Sequence, residues 1–394
     1  MSYKYSVYNS ATRRNRRGNQ NRGARRGEYI NPARFVAVAK PTQAADYTPQ
    51  HNFSDFPLES LLQANIAAKG FVTPSPIQDQ TIPLGLSGQD VIGIANTGTG
   101  KTAAFAVPVI NKILTDARAK ALIVAPTREL AEQIEQECRS LGKGGNFSGV
   151  LLIGGTGMGG QLRDLRARPR IVIGTPGRIK DHLERGALKL DSFNIVVLDE
   201  VDRMLDMGFL PDVSLILRAL APVRQSFFFS ATMEARVEGL IRTFATDPQT
   251  VSVKSGESSE HVNQDIVRFG GTHEKLDKLH EILIDEAVAK VIVFDETQRS
   301  VERLSNDLVA RGFKADAIHG GKSQGQRKRA LEGFKANRTT ILVATDVAAR
   351  GIDVADITHV INYSQPQSYQ DYVHRIGRAG RNGRVGHALT FVNA

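Results

Sequence analysis

Eight consecutive residues, Ala95-Asn96-Thr97-Gly98-Thr99-Gly100-Lys101-Thr102, have the types and order that hold a phosphate chain. Gly98 and Gly100 let backbone N–H groups approach phosphate oxygens. Lys101 puts a point charge on the outer phosphates, and the Thr102 hydroxyl can ligate Mg²⁺. The first position is Ala rather than the Gly of the strict P-loop, so the match is to the looser pattern. A P-loop needs an acidic partner at the end of a neighbouring strand, and NIVVLD (194–199) followed by Glu200 supplies one. Asp199 can hold Mg²⁺ through water and Glu200 can polarise an attacking water. Far downstream, Arg378 and Arg381 stand three apart, which can place both on one face of a helix or turn.

Such groups need rigid elements beneath them. From about His51 to Val253, apolar runs alternate with helix-length segments: DVIGIA (90–95), KALIVA (120–125), SGVLLI (148–153), RIVIGT (170–175), NIVVLD (194–199) and SFFFSAT (226–232). A second set follows: KVIVF (290–294), FKADAIH (313–319), TTILVAT (339–345), THVINY (358–363) and HALTFV (387–392). This pattern predicts α/β architecture with parallel sheets covered on both faces. The expected division is a disordered basic arm over 1–48, a first domain over 49–252, a polar flexible linker over 253–264 and a second domain over 265–394.

The 394 residues are 41% hydrophobic and 23% charged, ordinary for a soluble globular protein. No apolar run approaches the ~18 residues of a membrane span, which excludes an integral helical membrane protein. The single cysteine, Cys138, excludes an intrachain disulfide scaffold and a Cys-based zinc site, and fits a reducing, cytoplasmic setting. Of the net charge of +10, residues 1–50 carry +8. Thr12–Gly27 holds seven Arg, no acid and no large apolar residue, so it cannot bury a core and reads as an RNA- or anion-binding arm, or a site for protein partners. The nearly neutral body does not read as a nucleic-acid binder on charge alone.

Asp199-Glu200-Val201-Asp202 resembles the DEAD tetrapeptide of DEAD-box RNA helicases, with Val for Ala, and the resemblance runs from Phe53 to Arg381. It implies two RecA-like domains, ATP and Mg²⁺ as cofactors, and a monomer acting on single-stranded RNA and short duplexes. Gly70-Phe71…Thr73-Pro74-Ser75-Pro76-Ile77-Gln78 resembles the family's Q motif, with Phe53 as its upstream aromatic. A Gln amide can pair with adenine, and an aromatic such as Phe71 can stack on it. The resemblance assigns Asp353 to the ATP ribose and Arg378 and Arg381 to arginine fingers. It gives Ser230, Thr232, Asp202 and His374 to coupling between domains. It places Thr127, Arg128, Gly155, Thr175, Gly177, Arg178, Gln324, Arg327 and Thr345 on the RNA backbone. Asn96, Thr99, Gly321 and Lys322 depart from the usual residues. The implied activity is RNA-stimulated ATP hydrolysis with local duplex unwinding or ribonucleoprotein remodelling. The rival readings are an ATP-gated RNA clamp without appreciable unwinding and a DNA translocase.

Overall fold

In the computed structural model, which describes residues 30–39, 47–96, 98–253, 261–349, 352, 354, 356–380 and 384–394, the apolar runs lie side by side in two sheets. The first holds β1 (Val91–Ile94), β2 (Ala121–Val124), β3 (Gly149–Leu152), β4 (Ile171–Gly174), β5 (Ile195–Leu198), β6 (Gln225–Ser230) and β7 (Gln249–Ser252). Their spatial order is β3-β4-β2-β5-β6-β1-β7. The second holds β8 (Val262–Phe269), β9 (Val291–Phe294), β10 (Ala315–Ile318), β11 (Ile341–Ala344), β12 (His359–Asn362) and β13 (Gly386–Asn393) in the order β10-β11-β9-β12-β13-β8. The strand pairs in both sheets are parallel.

Helices cover both faces of each sheet, so alternate residues of a central strand enter different cores. Ile123 and Val197 pack with Phe105 and Ile110 on one face, and Leu122 and Val196 with Met204 and Ile216 on the other. Ile292 and Val360 of the second sheet face Tyr372 and Ile376, while Val293 and Ile361 face Leu279 and Leu304. Burial on both faces is why these strands read as unbroken apolar runs. Cys138 is buried in the first of these cores.

Two strands escape the apolar-run reading, and both are sheet edges. Only Val251 of β7 is buried, and in β8 only Val262 and Gln264 are. An edge strand has one strand neighbour and a wetter surface, so its sequence stays polar. The expected linker over 253–264 is therefore corrected at its end: Val262, Asn263 and Gln264 belong to β8 and pair with β13.

The expected disordered arm over 1–48 is also corrected in part. Residues 1–29, including the whole Arg-rich stretch, lie outside the described residues. Pro32–Phe35 forms a short 3-10 turn capped by Asn31, whose Oδ1 accepts from the Ala33 amide at 3.0 Å. Phe35 is fully buried and Ile30 is buried beside it in the core of the second sheet. Ala37 forms an antiparallel bridge with Gln264 of β8. Burial of two large apolar side chains is the physical reason this segment is ordered.

Residues 47–51 dock on the other half of the molecule. Asp79, 2% exposed on the helix Pro76–Leu86, accepts from Tyr47 Oη at 2.5 Å and the Gln50 amide at 2.7 Å, and lies 2.7 Å from His51 Nδ1. Burial pushes the Asp79 carboxyl up, but the bonds from Tyr47, Gln50 and His51 outweigh it and hold it below the usual carboxylate range. Burial and the same contact push Tyr47 up to about 12. A lowered folded-state value means the stabilisation is present above the unfolded pKa and lost as pH falls through the folded one. Asp79→Asn should lower stability by about 1–3 kcal/mol at neutral pH and by less at an acid pH where the carboxyl is protonated. Urea unfolding at both pH values checks this, and an equal loss at both would refute the assignment.

Candidate nucleotide site and nucleic-acid face

The phosphate loop leaves β1 and turns into the helix Lys101–Thr115. Gly98 and Gly100 have φ of 84° and 89°, left-handed values that favour glycine. At Gly100 space is equally limiting, because an added Cβ would lie 2.4 Å from Gln78 Nε2. That amide donates to Gly100 O at 3.0 Å, Gln78 Oε1 accepts from the Ser75 amide at 2.9 Å, and Ser75 Oγ donates to Thr99 O at 2.8 Å. The Q-motif helix thus braces the loop. Gln78 keeps a second N–H and a second lone pair.

Phe71, Gln78, Gly98, Gly100, Lys101, Thr102, Asp199, Glu200 and Arg378 line one cavity of about 370 Å³. Phe53 sits behind Phe71, with ring centroids 5.5 Å apart, and is buried in the core. The structure therefore gives Phe53 a supporting place and puts the half-buried Phe71 on the cavity wall. Thr99 Oγ1 donates to Asn96 O at 2.8 Å. Thr97, Asp353 and Arg381 lie outside the described residues.

Lys101 is 7% exposed and its Nζ donates to Ala95 O at 2.9 Å. Asp199 and Glu200 follow β5 and are 2% and 6% exposed. Burial raises the Asp199 carboxyl to about 7, with Lys101 pulling it down and neighbouring Glu200 pushing it up. Glu200 has φ 54° and ψ 55°, a left-handed conformation that costs a non-glycine residue about 1–2 kcal/mol. Its Oε2 is buried with no protein partner among the described residues.

Asp202 ties this acidic turn to the end of β6. Its Oδ2 accepts from the amides of Ala231 and Thr232 at 3.0 and 2.9 Å and from Thr232 Oγ1 at 3.1 Å. Ser230 Oγ donates to Thr232 O at 2.7 Å. Asp202 and Thr232 also line a second cavity, of about 190 Å³, with His374 and Gly377 from the second sheet's side. The expected coupling residues are thus brought together.

In the second half, Arg378 is 4% exposed and donates through Nη1 to Ile352 O at 2.9 Å. Sequence reading missed its neighbour Arg375. That guanidinium holds Asp346 in a two-point pair at 2.5 and 2.7 Å and also donates to Ser364 O at 2.7 Å. Its place in the same arginine-rich run was visible, but its partners lie too far away in sequence to be inferred.

The residues expected on the RNA backbone follow the carboxyl ends of strands, on the edge where open α/β sheets bind ligands. Thr127 caps the helix Arg128–Leu141, its Oγ1 accepting from the Leu130 amide at 3.3 Å. Arg128 lies so close over Gly155 that an added Cβ would sit 2.3 Å from Nη1. Thr175 and Gly177 open the helix Pro176–Glu184, and the space beside Gly177 is clear. Arg178 donates to Gln161 Oε1 at 3.1 Å, and Gln161 donates onward to Ile153 O at 2.9 Å. Gln161 is a buried organiser that sequence reading did not single out. Thr345 lies at the end of β11, 9% exposed.

Gln324 and Arg327 are engaged across the two halves. Gln324 Nε2 donates to Glu132 Oε1 at 3.0 Å, and Arg327 Nη2 lies 2.8 Å from Glu129 Oε1. Burial raises the Glu129 carboxyl, partly offset by Arg327. In this arrangement both side chains act as interdomain contacts.

Val201 is fully buried among Leu198, Met204 and Phe228. Val201→Ala should cost about 1–3 kcal/mol in stability through lost packing. The Asp199 carboxylate is oriented by backbone, with the Glu200 amide on its Oδ1 at 2.9 Å, so nucleotide turnover should change only modestly. Thermal melts and turnover assays check both, and a hundredfold gain in turnover would show that Val201 restrains the site.

Residues 75–240 match the family model of the DEAD/DEAH box helicase, and residues 274–383 that of the helicase conserved C-terminal domain. The chain is 44% identical over 341 residues to the DEAD-box ATP-dependent RNA helicase CshA of Bacillus subtilis, covering 86% of this chain and 69% of the relative. It is 44% identical to the ATP-dependent RNA helicase CshA of Listeria monocytogenes, covering 86% and 66%. The fold is similar to S. cerevisiae Dbp5 bound to RNA and ADP BeF3, with TM-score 0.76 at 29% identity over 87% of this chain and 89% of that one. It is also similar to Mss116p bound to ssRNA and AMP-PNP, with TM-score 0.79 at 29% identity over 90% and 77%. The two sheets are those of the RecA-like helicase fold, and the chain belongs to the DEAD-box ATP-dependent RNA helicase family.

Proposed function

We propose that this protein hydrolyses ATP in the cleft between its two domains and uses closure of that cleft to grip single-stranded RNA, separate short duplexes and remodel ribonucleoproteins. One observation carries the reading: Arg378 of the second domain lines the same cavity as Lys101, Thr102, Asp199 and Glu200 of the first. Neither half holds the whole set, so turnover depends on how the halves meet.

Phe71 stacks on the adenine, and the remaining N–H and lone pair of Gln78 read its polar edge. Backbone amides of the 97–100 loop cradle the phosphates, and Lys101 leaves the Ala95 carbonyl to meet them. Asp199 and Thr102 would hold Mg²⁺, which supplies positive charge at the outer phosphates. The buried Asp199 carboxyl, raised by desolvation, suits a cation that would keep it ionised. Glu200 Oε2 accepts the proton of the attacking water, and Arg378 stabilises charge on the transferring group. Asp353 on the ribose and Arg381 as a second finger complete the set.

RNA lies along the strand ends by its phosphates, with Arg128, Arg178, Thr175, Thr345 and the Gly155 and Gly177 backbones as contacts. Gln324 and Arg327 hold the closed pair of domains and border the RNA path. Backbone contacts carry little sequence information, so the preference for sequence is weak. The Arg-rich arm adds non-specific RNA affinity or binds protein partners. The protein works as a monomer in the cytoplasm; the single, buried Cys138 fits a reducing compartment.

ATP hydrolysis should be stimulated by single-stranded RNA and much less by DNA of the same sequence; equal stimulation would favour a DNA translocase. Lys101→Ala should weaken nucleotide binding. Glu200→Gln should keep ATP and RNA binding while lowering kcat about a hundredfold. Wild-type turnover in Glu200→Gln would overturn its role.

Each arm phosphate contact on a single strand adds ~0.7 to the slope of log affinity against log salt. Removing residues 1–28 should therefore weaken RNA binding most at low salt and flatten the slope. Titration of labelled RNA at several salt concentrations tests this, and unchanged slopes would leave the arm to protein partners.

A further inference from the structure

Residues 30–39 make their ring contacts with one helix, Tyr369–Ile376, the helix that runs into Arg378. The Arg34 guanidinium lies 3.6 Å from the centroid of the Tyr369 ring. The Phe35 and Tyr372 rings are 4.7 Å apart, tilted 53°, and both are fully buried. The segment is pinned from the other side to β8. Ala37 and Gln264 exchange backbone hydrogen bonds at 3.0 and 2.7 Å, and the Ala39 amide donates to Asn263 Oδ1 at 2.8 Å. Tyr372 Oη closes the triangle by donating to Gln264 Oε1 at 2.9 Å. Immediately after Arg378 the chain passes so close to β8 that a Cβ on Gly380 would lie 2.9 Å from His261 O. Strap, edge strand and finger helix form one packed unit, with Ile376 and Ala379 in the same core as Phe35.

We propose that Arg34 and Phe35 are positioning residues for the arginine finger Arg378. They hold the finger helix from its outer side, while Arg375 anchors it inside through Asp346. The finger acts only when its guanidinium stands at the transferring phosphoryl group, and small misplacement of a positioned group lowers turnover strongly. The strap therefore acts on kcat and not on ATP binding by the first domain. This rests on the arginine-finger reading of Arg378.

The test is a double-mutant cycle on RNA-stimulated ATP hydrolysis by the full chain. Phe35→Ala should lower kcat about tenfold and Arg34→Ala about threefold, with the KM for ATP within about twofold of wild type. Phe35→Leu, which refills the pocket, should restore most of the loss, and Val38→Ala, at an 86% exposed strap position, should match wild type. In an Arg378→Ala background, Arg34→Ala should have no further effect, because the residue it positions is gone. Thermal melts identify any variant that fails to fold, and Arg34→Ala, which removes only a surface stack, carries the test if Phe35→Ala does. Full additivity of Arg34→Ala with Arg378→Ala, or a rise in KM with kcat unchanged, would overturn the proposal. A wild-type rate for Arg378→Ala alone would instead refute the finger reading on which it rests.

Discussion

Lys101, Asp199 and Glu200 share one cavity, and each is less than a tenth exposed. Charges so placed are expensive unless each is met by an opposite charge, a hydrogen bond or a ligand. The fold meets this constraint by bringing strand ends together. Lys101 follows β1 and Asp199 follows β5, with β6 between the two strands. The Asp202 carboxylate, also buried, takes three donors from the turn after β6, so the acidic turn cannot shift without moving the Ser230–Thr232 segment. What stays unsatisfied is telling. Glu200 Oε2 has no protein partner among the described residues and Asp199 holds its proton up to about 7. Both leave polar capacity in the site that the proposed nucleotide and cation would satisfy.

The second sheet supplies what the first lacks, and its positive charges are held as carefully. Arg375 is fixed by Asp346 and Ser364, which leaves Arg378, one turn on, directed at the shared cavity. Across the cleft, Glu129 and Glu132 on the helix after β2 engage Arg327 and Gln324. That helix begins at Thr127 and Arg128, so the contact between the domains and the proposed RNA edge use the same element. In the proposed function this shared helix and Asp202 would link nucleotide and RNA without any long pathway.

The N-terminal segment extends the same logic. Residues 30–39 rest on the finger helix and β8, and residues 47–51 rest on Asp79, next to Gln78. One stretch of chain thus touches the element that carries Arg378 and the helix that braces the phosphate loop. Residues 30–39, which composition reads as part of a disordered arm, belong to the second half, and residues 47–51 pack on the first.

Local chemistry was legible in the sequence because it is local. Gly98, Gly100, Lys101 and Thr102 declare a phosphate loop by spacing, and Asp199 and Glu200 end an apolar run that only a twice-covered strand produces. The same rule explains the misses. Edge strands β7 and β8 are half wet, so periodicity did not mark them. Ile30 and Phe35 lie just after an Arg-rich stretch, in a segment too short for periodicity to mark as core. Their burial comes from Tyr372 and the second core, and the Ala39–Asn263 bond joins residues 224 positions apart. Arg375, Gln161 and Glu129 are ordinary polar residues until tertiary packing removes water from them, after which each needs a specific partner. Sequence determined which groups are candidates for the chemistry and which strands carry them. Only the tertiary structure decided which second-domain groups meet them, since those contacts bring together chain segments far apart in sequence.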